Sequence, residues 1–442
     1  MSLFEMPAAR FECRRAGFQG CVKKQNWQRK MKNEKLKTMS YLLIFVFFLL
    51  SGFILIHYVG FSKILAQHVS DPERFRDATF KIWDENPISK HGFLVFYSMQ
   101  HFIDGVAYPS YSPFYLVFMY LFYCLENAFG FLPMRATVAY LEMAATLAVL
   151  IFISFKQWNL RGIRNVLLVA FSLLFLQSTP DFWISAGAFN VDNVFRFQMP
   201  LLILIANEIS QGRHDSKLFW WTSAILALFI PLTALLVHGF CFVWLCFVEK
   251  IDRKGILKFG ILLSLAGVLF VEPILVAKWL NYTINNSGWW FRSGLDGATP
   301  GFFNAVYAVL HPVYLRPLSL LGVPLFLAAT QYLFLRRKSG DGHAQTLNGQ
   351  LVFLLISSSY YIALLVLWPQ AVSIHPYLYD WMMLAPIVSF FVLNFSAFGY
   401  SREVMFIYIV GLAFAIMFNL NALANFANCN CRYNGMSNPV LF

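Results

Sequence analysis

Ten separated apolar runs constrain this chain more than any other feature: Tyr41–Val59, Arg135–Phe155, Ile163–Leu176, Val194–Ile209, Phe219–Phe247, Phe259–Trp279, Leu315–Leu335, Leu351–Trp368, Leu378–Phe398 and Val404–Leu420. Crossing the hydrocarbon of a bilayer takes about 20 apolar residues per helix, and no soluble core in a chain of 442 residues could hide so many such runs. Composition agrees: 59% of residues are hydrophobic and only 13% charged, where a soluble domain carries about 25% charged residues. The expected fold class is an all-α polytopic membrane protein. It should have about eleven transmembrane helices, with an interfacial helix after the first outer loop.

The formal net charge of +12 would suggest nucleic acid in a soluble protein. Here the Lys and Arg residues sit in short connections between apolar runs, where the positive-inside rule reads them as topology. No nucleic-acid partner is expected. Clusters at Lys156–Arg164, Arg213–Lys217, Lys250–Lys258 and Arg336–Lys338, with Arg402 as a weaker marker, should be cytoplasmic. The basic opening Met1–Met39 lacks a cleavable-signal pattern, so Tyr41–Val59 reads as a signal anchor with a cytoplasmic N-terminus; Met31 or Met39 is an alternative start. The outer connections are then Val69–Ser112, Ser178–Asn193, the turn near Pro231–His238, Asn281–Tyr314 and Pro369–Tyr377.

Two runs do not fit a simple count. If Phe114–Phe131 crossed, Lys156, Arg161 and Arg164 would lie outside, so it is read as a helix embedded in the outer interface. Phe219–Phe247 is too long for one span and contains Pro231, so a tight hairpin of two short helices is expected. The seven cysteines are scattered, and Cys429 and Cys431, one residue apart, do not make a redox or metal motif.

Chemistry gathers between Val69 and Tyr115. The acids there are Asp71, Glu73, Asp77, Asp84, Glu85 and Asp104. A carboxylate near the membrane surface is placed to deprotonate an acceptor hydroxyl or amine, although a solvated loop also carries acids for no catalytic reason. The stretch Tyr108-Pro109-Ser110-Tyr111-Ser112-Pro113 should be stiff, because proline restricts itself and its predecessor.

In the second outer loop Asp192 and Arg196 are four apart, hence on one helix face, where a structural ion pair and a substrate contact are equal alternatives. Arg135 and Glu142 invite the same two readings. His311-Pro312-Val313-Tyr314-Leu315-Arg316 and His375-Pro376-Tyr377-Leu378-Tyr379-Asp380 echo each other at outer helix starts. His, Arg and Tyr beside a helix N-terminus suit a phosphate. Asn281-Tyr282-Thr283 and Asn285-Asn286-Ser287 match the N-glycosylation sequon. The nearby Trp289, Trp290, Phe291 and Arg292 suit either a sugar ring or an interface belt.

In this order of features the chain resembles the C-type membrane glycosyltransferases, the protein O-mannosyltransferase and aminoarabinose-transferase superfamily that uses polyprenyl-phosphate sugars. The resemblance rests on Asp71-Pro72-Glu73 after the first helix, Tyr111-Ser112-Pro113-Phe114-Tyr115-Leu116, Ala128-Phe129-Gly130, Arg135, Asp192, and His375-Pro376-Tyr377 with Pro386. It covers about Tyr41 to Phe398 as degenerate motifs. It departs where the family's adjacent acidic pair is split by Pro72, which leaves Asp71 and Asp77 both open as the catalytic acid.

The resemblance implies a multi-pass enzyme of the plasma (inner) membrane and cell envelope. It would transfer a hexose or pentose from a polyprenyl-phosphate donor to a lipid, glycan or protein acceptor on the extracytoplasmic face. Asp71 or Asp77 would be the base. Glu73, Asp104, Arg135, Asp192, Arg196, Arg316, His375 and Tyr377 would bind substrate, with His375, Tyr377, Arg316 and Arg135 as the candidates to neutralise the leaving phosphate. Some relatives use a divalent metal and others do not, so a metal is possible, but no ligand cluster here decides it.

The implied organisation is a basic segment over 1–39 and a glycosyltransferase-like module over 40–335, with outer loops 61–112, 178–193 and 281–314. A cytoplasmic linker follows over 336–349, then rear helices over 350–420 and an outer tail over 421–442. A transporter or flippase for lipid-linked saccharides is the main alternative. A polysaccharide polymerase is kept open by Arg292 and His311 in the large later loop.

Overall fold

The computed structural model describes residues 71–108, 112–129, 163–178, 194–249, 252–284, 341–367, 386–390 and 402–428, with isolated helical positions at 145, 148, 149, 151–153 and 392. The described part is mostly helical. In chain order its elements are α1 (Asp71–Glu85), α2 (Ile88–His91), α3 (Met99–Ile103), β1 (Val106–Ala107), α4 (Pro113–Phe129), α5 (Ile163–Ser178), α6 (Val194–Ser210), α7 (Lys217–Phe229), α8 (Pro231–Trp244), α9 (Arg253–Trp279), β2 (Thr283–Ile284), α10 (Asp341–Leu367) and α11 (Arg402–Asn428). A π-helical turn, Leu245–Glu249, follows α8.

Among the described residues α9 is the helix long and apolar enough to cross a membrane, with 27 residues and a mean hydropathy of 2.3 over its best window. At 1.5 Å per residue it is about 40 Å long. Asp252 starts it by accepting from the Gly255 N–H at 2.8 Å, an N-cap that satisfies a first-turn donor.

The hairpin expected within 219–247 is present. Ile230 alone separates α7 from α8, with Pro231 at the first position of α8, where its missing N–H costs nothing. The Phe219 ring lies 6.3 Å from His238, and both Phe219 and Phe242 reach Phe259 of α9, at 5.7 and 6.2 Å. Residues on either side of Ile230 therefore lie side by side. α9 runs back along this hairpin, and α6 packs against both α7 and α10, while α5 pairs with α11. Buried polar pairs join these helices: Thr233 donates to Gln198 at 2.6 Å and Asn419 to Ser178 at 3.1 Å.

One end of this bundle is basic. There Lys258 donates to Asp215 at 2.7 Å, joining the clusters read from sequence as sharing a side. Glu208, almost fully buried, accepts from Arg213 and from Ser216 at 2.6 Å, closing the turn between α6 and α7. Gly349 of α10 approaches the Ser210 carbonyl so closely that a Cβ would come within 2.8 Å of it. The segment 336–349 was read as a polar linker, and its described part, from Asp341, is helical.

At the other end residues 71–129 form a folded unit. The first outer loop, expected over 61–112, is thus not an open loop in its described part. The chain turns from α2 through Gly92 and Phe93, both left-handed (φ 53° and 57°), so that 94–96 lie back along α1. Leu94, Val95, Phe96, Ala107, Tyr108, Tyr115, Leu116 and Met119 join Phe80, Ile82 and Trp83 in its core. β1 pairs in parallel with β2, Val106 opposite Thr283 and Ala107 opposite Ile284, which ties the unit to the chain leaving α9. The Tyr282 hydroxyl donates to the Lys90 carbonyl at 2.8 Å. α4 spans Pro113–Phe129, as the interfacial reading required for a helix, and its start is bonded from Ser112 to the Leu228 carbonyl near the hairpin tip at 2.5 Å.

The described residues do not include the basic segment 1–39, the first apolar run Tyr41–Val59, the runs Leu315–Leu335 and most of Arg135–Phe155 and Leu378–Phe398, the loop over 285–314, or Cys429 and Cys431.

Three substitutions separate the contacts that hold these ends. A Cβ on Gly92 would meet Val276 Cγ1 at 2.6 Å and Leu280 Cδ1 at 2.8 Å. With the left-handed backbone added, Gly92→Ala should cost about 1–3 kcal/mol in thermal unfolding of the detergent-purified protein. Arg213→Ala strands the buried Glu208 charge and should cost about 3–5 kcal/mol. Lys258→Ala removes an exposed pair and should cost under about 1 kcal/mol.

Candidate functional site

Five of the first-loop acids, Asp71, Glu73, Asp77, Asp84 and Glu85, stand on α1. Pro72 sits in its first turn, where proline is tolerated, and its early acids Asp71 and Glu73 suit the helix dipole. Thr79, Phe80, Ile82 and Trp83 turn into the unit's core, leaving Lys81, Asp84 and Glu85 exposed. By helical register positions 73, 77, 80 and 84 share one stripe, spaced i, i+4, i+7 and i+11, and position 71 falls off it.

That stripe runs beside α4. Phe80 lies 5.5 Å from the Tyr120 ring and 5.2 Å from the Tyr123 ring, and Tyr120 donates its hydroxyl to Asp84 Oδ1. Asp77 is half-buried one turn along. The result is a strip of carboxylates and half-exposed tyrosines, seated on a packed aromatic floor of Phe80 and Trp83. The Asp84 carboxylate accepting its hydrogen bond, with desolvation as the smaller cause, holds the Tyr120 phenol well above its usual range. Tyr120 is therefore the donor of this pair.

The floor is itself fixed by polar contacts. Thr79 donates to the Phe96 carbonyl at 2.9 Å and accepts from the Phe96 N–H at 3.1 Å. Trp83 Nε1 donates to the Leu94 carbonyl at 2.9 Å. The buried His91 ring stacks on Trp83, centroids 5.5 Å apart, and its Nδ1 accepts from the Phe93 N–H at 3.2 Å. Burial pushes the His91 imidazole below its ordinary range.

Asp104 is not on this strip. It follows α3 in solvent, where Gln100 Nε2 donates to its carboxylate at 2.8 Å. Position 196 falls in the first turn of α6, as read from the sequence. Arg135, Asp192, Arg316, His375 and Tyr377 lie outside the described residues. Among the described residues no group of three or more His, Cys, Asp or Glu side chains is arranged to hold a metal ion.

Sequence reasoning did not single out Tyr120 within the interfacial run 114–131, and it ranked Asp84 below Asp71 and Asp77. Their pairing across 36 residues has no local signal. Glu272, an acid within the apolar α9, was also missed, although an ionisable residue followed by Pro273 in an apolar run is visible in the sequence. Comparison with protein families, curated proteins and solved structures finds no match to this chain.

His91 supplies a pH test. Because its folded-state value is depressed, the unfolded chain binds the extra proton first. Its contribution to stability is therefore present above about pH 6.5, the unfolded value, and is lost as the pH falls. Thermal stability should drop between about pH 7 and pH 5. His91→Gln should flatten that slope.

Proposed function

We propose that this chain is an integral-membrane glycosyltransferase of the C-type, transferring a sugar from a polyprenyl-phosphate donor to a lipid, glycan or protein acceptor at the extracytoplasmic face of the plasma membrane. The observation that carries it is the folded, acid-bearing unit seated on one end of the membrane-length α9, opposite the end where Arg213, Lys217, Arg253, Lys254 and Lys258 gather. The positive-inside rule makes that basic end cytoplasmic, which puts the acids and tyrosines at the outer surface. About eleven crossings with a cytoplasmic N-terminus accommodate the ten apolar runs, with α4 lying in the outer interface.

In the proposed reaction an acceptor hydroxyl attacks the anomeric carbon, the bond from that carbon to the phosphate oxygen breaks, and its electron pair leaves on the polyprenyl phosphate. The acceptor proton passes to Asp77. Asp77 is favoured over Asp71 because it shares the stripe that meets α4, and Glu73 and Asp84 on that stripe would bind sugar hydroxyls. Arg135, Arg196, Arg316, His375 and Tyr377 would hold the phosphate, and Asp104 and Asp192 would line the approach of the acceptor. A divalent metal remains compatible with this set.

The transporter or flippase alternative draws support from Glu272, a half-buried carboxylate inside α9.

Membranes containing the chain should transfer radiolabel from one member of a panel of polyprenyl-phosphate sugars. Asp77→Asn should lower that transfer by about 10²–10⁴-fold, the usual worth of a general base. Asp71→Asn should leave most of it. Equal loss in both variants, or movement of the lipid-linked sugar across the bilayer without transfer, would overturn the assignment.

A further inference from the structure

Glu272 lies 19 residues beyond the start of α9 and seven before its end. At 1.5 Å per residue that is about 28 Å from the basic end and about 10 Å from the unit-bearing end, inside the apolar span. Val271 and Leu275 beside it are exposed on the face that meets lipid. Val276, one turn on, is the seat of Gly92. Glu272 is thus half-buried just beneath the docked unit, and its Oε2 is buried with no hydrogen-bond partner.

A second acceptor stands close by. Pro273 has no N–H, so the carbonyl of Leu269, three residues before Glu272, loses its i+4 donor. The unpartnered Glu272 Oε2 and a carbonyl that has lost its i+4 donor are thus one turn apart in an apolar span. Among the described residues, the titratable groups on neighbouring elements are distant in register. Leu235 of α8 packs at Gly267, on the opposite flank of α9, and α8 carries only His238 and Cys241 as titratable groups, both further toward the basic end. α7 carries only Lys217, at the basic end. The unit above presents Lys90 and His91, whose ring is stacked on Trp83, and Tyr282 is bonded to the Lys90 carbonyl. Lys278, on α9 itself, points to a different flank by register.

An acceptor-only pair suits a cation and rejects a phosphate. A carboxylate beside a carbonyl freed by proline is the donor set with which membrane proteins hold sodium ions or protons. Two protein oxygens are enough to hold a proton, and a sodium ion held there would complete its shell with water.

We propose that Glu272 and the Leu269 carbonyl form a monovalent-cation site, for a proton or a sodium ion, beneath the docked unit in the outer half of α9. The site goes beyond the transferase reading and does not depend on it. Occupancy would neutralise the carboxylate under Gly92, giving the unit's seat a dependence on the external ion.

The test is chemical labelling of the whole protein in membranes with a hydrophobic carbodiimide. The protonated carboxyl adds across a C=N bond of the reagent, and the O-acylisourea rearranges to a stable N-acylurea with no atom lost. Mass mapping at about pH 6 should find this adduct on Glu272. Glu272→Asp should keep a label at that position and Glu272→Gln should lose it, with folding of both checked by size-exclusion chromatography. If the occupant is sodium, NaCl at about ten times the dissociation constant should suppress labelling about tenfold at fixed pH. If it is a proton, only raising the pH should do so. A folded wild type that is never labelled at Glu272, or labelling indifferent to both sodium and pH, would overturn the site. Because the readout is a covalent adduct, failure here leaves the transfer assay untouched, and the reverse holds as well.

Discussion

The seat of Gly92 on Val276 and Leu280 is the contact on which the arrangement of the candidate site depends. A Cβ at position 92 would crowd Val276 and Leu280 and force one of them to shift, and the left-handed backbone there also turns the chain so that 94–96 can run back along α1. With that seat made, the Thr79 hydroxyl bonds both backbone groups of Phe96, and the Tyr282 hydroxyl reaches the Lys90 carbonyl. The parallel β1 and β2 pair, only two residues long, adds a backbone clamp across 176 residues of sequence. A solvated loop becomes a platform with a fixed height above α9.

The other end of the bundle is held by charge. Glu208 is buried, and removing a carboxylate from water costs several kcal/mol unless partners replace the water. Arg213, Ser216 and Asn207 do so. The exposed pair between Lys258 and Asp215 contributes less energy, although the ammonium holds the Asp215 carboxyl below its ordinary range. Its weight is in placement, since it joins the two basic clusters at one end of the bundle. On the proposed reading these two ends divide the labour, the basic end fixing orientation and the aromatic end presenting the acids to substrate.

How much of this was legible depended on the range of the interactions. Pro231 within an over-long apolar run foretold the hairpin, because a proline without an N–H is tolerated at a helix start and not in its middle. The helix over 113–129 was foretold by its apolar run, which is also a local reading. The folding of 71–108 was not foretold. Its polar surface resembles a loop in composition, and its core residues, among them Thr79, Trp83, His91 and Phe96, meet through contacts that no local periodicity announces. The choice between Asp71 and Asp77 was open for the same reason: helical register separates them only once the segment is known to be a helix.

By itself the sequence determined apolar runs of spanning length, the basic turns between them, and one segment rich in acids and tyrosines. These are properties of single segments in contact with lipid or water, so they can be read one segment at a time. Tertiary structure decided what depends on two segments meeting. It paired Asp84 with Tyr120, buried the carboxylate of Glu208, seated Gly92 on α9 and left Glu272 beneath that seat with an unmatched oxygen. A hydrogen bond or a desolvated charge is a relation between partners distant in the chain, and only the fold sets their distance.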